Sequence, residues 1–157
     1  MAAQVLFFQT GSEASIEVLR SISGDLSIGP DERYEAARIL LEHDVPEGIE
    51  VLRILALDTA HDFELRYKSA LALLERRDRV GFDVMRDLTQ DRYNMDDDRR
   101  RAARILAEYR DEVGLTTLRE LAQSTTASAS ERRQAALALT KLGDSEGIQI
   151  LQSLLDS

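Results

Sequence analysis

Cysteine is missing from this chain altogether, which excludes a disulfide scaffold, a thiolate metal site and a cysteine nucleophile together. Proline occurs twice, and aromatic residues make up 5% of a sequence that is 43% apolar, so any core must be built from Leu, Ile, Val and Ala. That material suits close-packed helices rather than a β-sandwich. Lysine is nearly absent as well: of 20 basic residues only Lys68 and Lys141 are lysines, and the rest are arginines, whose planar fork grips carboxylates in two-pronged fashion. There is no long hydrophobic run. The apolar stretch from Val5 to Phe8 is too short for a signal core or a membrane span, and no basic segment precedes it, so the cytoplasm is the expected compartment. Positive charge is in deficit, with a net charge of −9 and an isoelectric point near 4.8, which repels phosphate backbones and anionic lipid. Nucleic acid and membrane are therefore not expected partners.

What the chain does have is a repeat. The run R-x-x-[AS]-A-x-x-L occurs four times: Arg33-Ala36-Ala37-Leu40, Arg66-Ser69-Ala70-Leu73, Arg99-Ala102-Ala103-Leu106 and Arg132-Ala135-Ala136-Leu139. The interval is 33 residues without slip. A glycine column keeps the same beat at Gly48, Gly81, Gly114 and Gly147, each followed by an apolar residue and then by Leu52, Met85, Leu118 or Leu151. A fixed period of this size means stacked units, each burying its apolar face against its neighbours.

Within one unit, Arg33, Ala36, Ala37 and Leu40 fall on one helical face, which predicts a helix A over 31–43. Pro46 suits the first turn of a second helix, and Ile49, Leu52 and Leu55 continue it as helix B. The same reading pairs 64–77 with 79–90, 97–110 with 112–123, and 130–142 with 145–156. Asp78, Asp111 and Asp144 stand where an aspartate caps helix B, whereas the first of these units has Val45. The glycine column facing Ala37, Ala70, Ala103 and Ala136 predicts a close approach of the two helices, because glycine inside a helix otherwise costs about 0.5–1 kcal/mol. Subtracting one more period makes 12–23 the helix B of an earlier unit, with its helix A at 2–9 carrying Ala3 and Phe7. We therefore expect a single domain over 1–157, with a truncated N-terminal unit at about 1–24 and units at about 31–59, 64–91, 97–124 and 130–157.

These motifs resemble the HEAT repeat, specifically the short bacterial HEAT-like repeats first noted in phycobilisome lyases. The likeness covers nearly the whole chain. Tetratricopeptide and ankyrin repeats have similar periods but want W-x-x-L-G and T-P-L-H, neither of which occurs. The resemblance implies an all-α fold, a right-handed α-α superhelix or α-solenoid of about five two-helix repeats. It further implies a non-enzymatic scaffold or adaptor for a protein or peptide, with a HEAT-like lyase or an accessory subunit of an enzyme as the alternative. It implies no fixed catalytic residues and no cofactor.

In such stacks the B helices line the concave, partner-binding surface. The most regular polar column there is Arg20, Arg53, Arg86, Arg119 and then Gln152, preceded three residues earlier by Glu17, Glu50, Asp83, Thr116 and Gln149. Two readings stand side by side: a self-satisfied surface lattice worth about 0.2–0.5 kcal/mol per pair, or a mixed-charge groove that grips a partner. Ile54 and Leu57 beside it have little reason to be apolar and are candidates for a binding hot spot. Asp87 and Glu120 complete the candidate partner-binding set. The Arg33 column opposes the dipole of helix A, so a structural pairing with Asp25, Asp58 and Asp91 is expected. The stretch from Asp91 to Arg101 lacks the order of a calcium loop, and His43 and His61 have no nucleophile nearby to activate, so neither a metal site nor a catalytic residue is expected.

Overall fold

In the computed structural model, residues 13–155 are described, and among them all regular structure is helical. The helices are α1 (Glu13–Gly24), α2 (Pro30–Glu42), α3 (Pro46–Leu57), α4 (Phe63–Glu75), α5 (Arg79–Gln90), α6 (Asp96–Glu108), α7 (Glu112–Gln123), α8 (Ala129–Lys141) and α9 (Ser145–Leu155). Helix A of each unit is thus α2, α4, α6 or α8, and helix B is α1, α3, α5, α7 or α9. The helix expected at 2–9, with Ala3 and Phe7, lies outside the described residues. The chain divides into two compact units, Met1–Val84 and Met85–Ser157, and the division falls within α5.

Each unit is a run of helices packed on their sequence neighbours and on the next helix but one: α1 to α4 in the first, α6 to α9 in the second. Buried Leu19, Ala36, Ile39, Leu40 and Val45 cluster in the first, with Ile16 and Ile22 against them. In the second the cluster joins Ala103, Leu118, Leu121, Ala136 and Leu139. Leu40, Leu73, Leu106 and Leu139, the last residues of the repeated motif, are essentially without solvent contact.

The A-to-B turn is built identically four times. Helix A ends in a turn whose sixth-residue N–H returns to the leucine carbonyl, from Val45, Asp78, Asp111 and Asp144 to Leu40, Leu73, Leu106 and Leu139. The preceding residue donates to Leu41, Leu74, Ala107 or Thr140, completing a Schellman motif. That preceding residue is left-handed in all four cases: Asp44, Arg77, Arg110 and Gly143, with φ between 56° and 76°. The glycine column then allows helix B to lie on helix A. A Cβ built on Gly48 would stand 2.6 Å from the Ala37 carbonyl oxygen, and one on Gly114 would stand 2.6 Å from both the Ala103 oxygen and the Ala107 nitrogen. The close approach expected from the Ala and Gly columns is present.

The links between units also recur. Asp25, Asp58 and Asp91 each accept a hydrogen bond from the backbone N–H two residues on, at 2.9 Å, and Ser124 does the same for Thr126. These side chains mimic a backbone turn and stop the preceding B helix. They are not the hydrogen-bond partners of Nε in the Arg33 column. Nε of Arg33, Arg66 and Arg99 donates instead to the carbonyls of Ser23, Ala56 and Thr89, at 3.0–3.1 Å. A guanidinium at the unsatisfied carbonyl end of one helix answers that helix's negative pole and so offsets its awkward place at the start of the next.

Candidate protein-binding face

The sequence-predicted site residues fall on the B helices: Glu17 and Arg20 on α1, Glu50, Arg53, Ile54 and Leu57 on α3, Asp83, Arg86 and Asp87 on α5, and Thr116, Arg119 and Glu120 on α7. Their arginines are engaged by the fold. Arg53 donates from Nε and Nη2 to Oδ2 of Asp78, at 3.2 and 2.6 Å, and from Nη1 to Glu50 at 2.7 Å. In the second unit Arg86 donates to Oδ2 of Asp111 from Nε at 3.1 Å and from Nη2 at 2.7 Å, and Arg119 donates to Oδ2 of Asp144 from Nη2 at 2.5 Å. Each of these aspartates gives its other oxygen to cap the following B helix, accepting from the N–H of Val80, Val113 or Gly147. One carboxylate thus caps its own helix and holds the arginine of the B helix one period earlier. The hydrogen bond to Asp78 holds the Arg53 guanidinium above its ordinary pKa, and that to Asp144 does the same for Arg119. Reciprocally, the Arg119 hydrogen bond lowers the Asp144 carboxyl.

The first helix shows the rule by exception. Twenty-five residues after Arg20 stands Val45, which caps with no side chain and is buried in the core instead. Arg20 turns to Glu47 at 3.1 Å and to Glu17 on its own helix. Sequence reasoning saw the arginine column and the aspartate column separately. Their common 25-residue offset, broken only at Val45, was the signal that linked them.

Several of the remaining candidate side chains are exposed. Ile54 and Leu57 on α3 are 56% and 55% exposed. Glu50, Asp87, Thr116 and Glu120 are exposed, and Asp83 lies 3.4 Å from Arg79. In the second unit the end of α5, its following link and α7 enclose an open groove of about 420 Å³, lined by Gln90, Arg92, Thr116 and Glu120 over a floor that includes Val113 and Thr117. Thr116 and Glu120 are the sequence-predicted residues that this groove brings together; Gln90 and Arg92, in the polar link region, were not anticipated. On α6, Arg99, Arg100, Arg101 and Arg104 pair with Asp96, Asp97, Asp98 and Glu108, so that basic run is neutralised as its neighbours in sequence imply. Among the described residues no group of three or more His, Asp or Glu is placed to hold a metal ion. No described helix is long and apolar enough to cross a membrane.

Helix pairs joined by identical turns and repeated at a fixed interval define an all-α helical-repeat protein of the solenoid class. Residues 93–157 match the family model of HEAT repeats, so this part of the chain carries HEAT repeats. The match does not single out the phycobilisome-lyase type. No curated protein and no solved structure matches the chain. HEAT repeats commonly serve as protein-interaction scaffolds.

Proposed function

We propose that this chain is a non-enzymatic, cytoplasmic scaffold that binds a protein or peptide segment on its B-helix face. The observation that carries the reading is the exposure of Ile54 and Leu57, two large apolar side chains one turn apart on α3 that the fold does not use. Apolar residues left in water on a helical-repeat surface are what a partner would bury, and a few such anchors dominate binding energy. The groove lined by Thr116 and Glu120 supplies a second, polar contact area within the other unit. Arg53, Arg86 and Arg119 contribute by holding B helices in register rather than by meeting the partner.

The test compares capture by immobilised wild type, an Ile54→Asp/Leu57→Asp variant and an Arg133→Glu variant on helix A, each checked for folding by circular dichroism. A partner held by wild type and by Arg133→Glu but lost by the double variant supports the reading. Equal capture by all three removes Ile54 and Leu57 from the site.

A further inference from the structure

The link between α5 and α6 breaks the repeat at positions where the fold has no need of it. At intervals of 33 residues, Tyr93 stands in a column with Ser27, Ala60 and Thr126, and Met95 in one with Gly29, Asp62 and Ser128. Asp62 and Ser128 cap helix A with their side chains, whereas Met95 takes the same N-cap position on α6 with no capping bond. The link is held in place all the same. Asp91 accepts from the Tyr93 N–H at 2.9 Å, and the Asn94 side-chain amide donates to the Leu88 carbonyl at 3.0 Å. Tyr93 is 100% exposed and Met95 is 75% exposed, so neither side chain contributes to the core. Together with Arg92 they are the residue types that interface cores favour.

This link borders the groove of about 420 Å³ in the second unit. Gln90 and Arg92 line the groove from the α5 side, and Glu112, Thr116, Thr117 and Glu120 line it from α7. A buried polar group there is left open. Thr117 is 5% exposed, and its hydroxyl has no hydrogen-bond partner among the described residues, whereas the Thr140 hydroxyl donates to the Ala136 carbonyl of its own helix. Charge is also left open. Among the described residues Glu112, Glu120 and Asp91 make no ion pair, and neither does Arg92, while Arg99 is engaged by the Thr89 carbonyl and by Asp96. Three unpaired carboxylates against one arginine, on a chain of net charge −9, favour a cationic occupant.

We infer that this link and groove bind an extended peptide segment carrying two basic side chains and a large apolar one. The inference rests on the scaffold reading above and names the partner of its second contact area. Glu112 and Glu120 lie eight residues apart on α7, about 12 Å along the helix. That matches the separation of about 13 Å between residues i and i+4 of a strand, whose side chains point to the same face. An extended backbone has no internal partners for its N–H and C=O groups. Gln90, Arg92 and the Thr117 hydroxyl offer hydrogen bonds to it, the two glutamates take the basic side chains, and Tyr93 with Met95 covers the apolar one.

Selection of a phage-displayed random-peptide library on the immobilised full chain tests this. The enriched peptides should share two Lys or Arg about four residues apart beside an aromatic or large aliphatic residue. The labelled consensus peptide should bind in fluorescence polarisation with a dissociation constant of about 1–100 μM. Tyr93→Thr/Met95→Ser installs the residues of the last link, including its capping serine, and should melt no lower than wild type while binding the peptide at least about tenfold more weakly. Glu112→Gln/Glu120→Gln should weaken binding by a similar factor and flatten its salt dependence. Ile54→Asp/Leu57→Asp should bind the peptide as wild type does, so this site and the α3 anchors fail separately. A library without enrichment, a consensus without basic residues, a peptide indifferent to either pair of groove and link substitutions, or one lost from the Ile54/Leu57 variant each overturns the proposal.

Discussion

At the scale of single residues, backbone conformation and side-chain size set opposite demands a few positions apart. Arg77 is held at φ 57° with an exposed side chain, a conformation costing a residue with Cβ about 1–2 kcal/mol and glycine almost nothing. Gly143 already takes this position in the last unit. Arg77→Gly should therefore stabilise the protein by about 1 kcal/mol in urea denaturation. Gly114→Ala should do the reverse, lowering stability by about 1–3 kcal/mol, because the atoms its Cβ would strike include helix backbone that cannot turn aside. A neutral result at Gly114 would show that α6 and α7 are less tightly apposed than the structure has them. The glycine column was legible in sequence because it is pure. The left-handed column was not, since Asp44, Arg77 and Arg110 give no hint of it.

At the scale of the element, one aspartate does two jobs, and pH separates them. Asp144 accepts from Gly147 N–H at 2.9 Å and from Arg119 at 2.5 Å, and the Arg119 bond holds its pKa below the ordinary 3.8. A carboxyl whose folded pKa is depressed contributes stability that is complete above its unfolded pKa and is lost as pH falls through the folded one. Asp144→Asn keeps an oxygen for the cap but discards the charge. The variant should melt below wild type at about pH 7, and the gap should narrow as pH falls through the depressed folded pKa of Asp144 and wild-type Asp144 protonates too. A gap independent of pH would mean that the Arg119 pair contributes nothing to stability. Helix boundaries came within one or two residues of the sequence reading, because caps, prolines and apolar spacing are local signals.

At the scale of the whole molecule, charge bears on which partners are expected. The net −9 is not offset by a free basic run: the α6 arginines are paired along their own helix, and Arg53, Arg86 and Arg119 are held by aspartates. The chain should not retard duplex DNA or RNA at about 0.15 M salt in an electrophoretic assay. Micromolar binding with a steep salt dependence would show a basic surface that these pairings do not leave.

The sequence by itself determined the repeat, the helix pairs, the buried leucine column, the glycine contact and the aspartate caps, all of which depend on residues within about one unit of each other. Only the tertiary structure decided which groups meet between units. Arg33 finds the carbonyl of Ser23, not the carboxylate of Asp25, because the acceptor is a helix end, and a carbonyl has no side chain to betray it in sequence. Arg53 finds Asp78 because stacking brings together two columns 25 residues apart, so the arginine ladder also braces successive helix pairs. Exposure was decided there too: Ile54 and Leu55 are adjacent apolar residues in the chain, but the helix turns one to solvent and packing closes over the other.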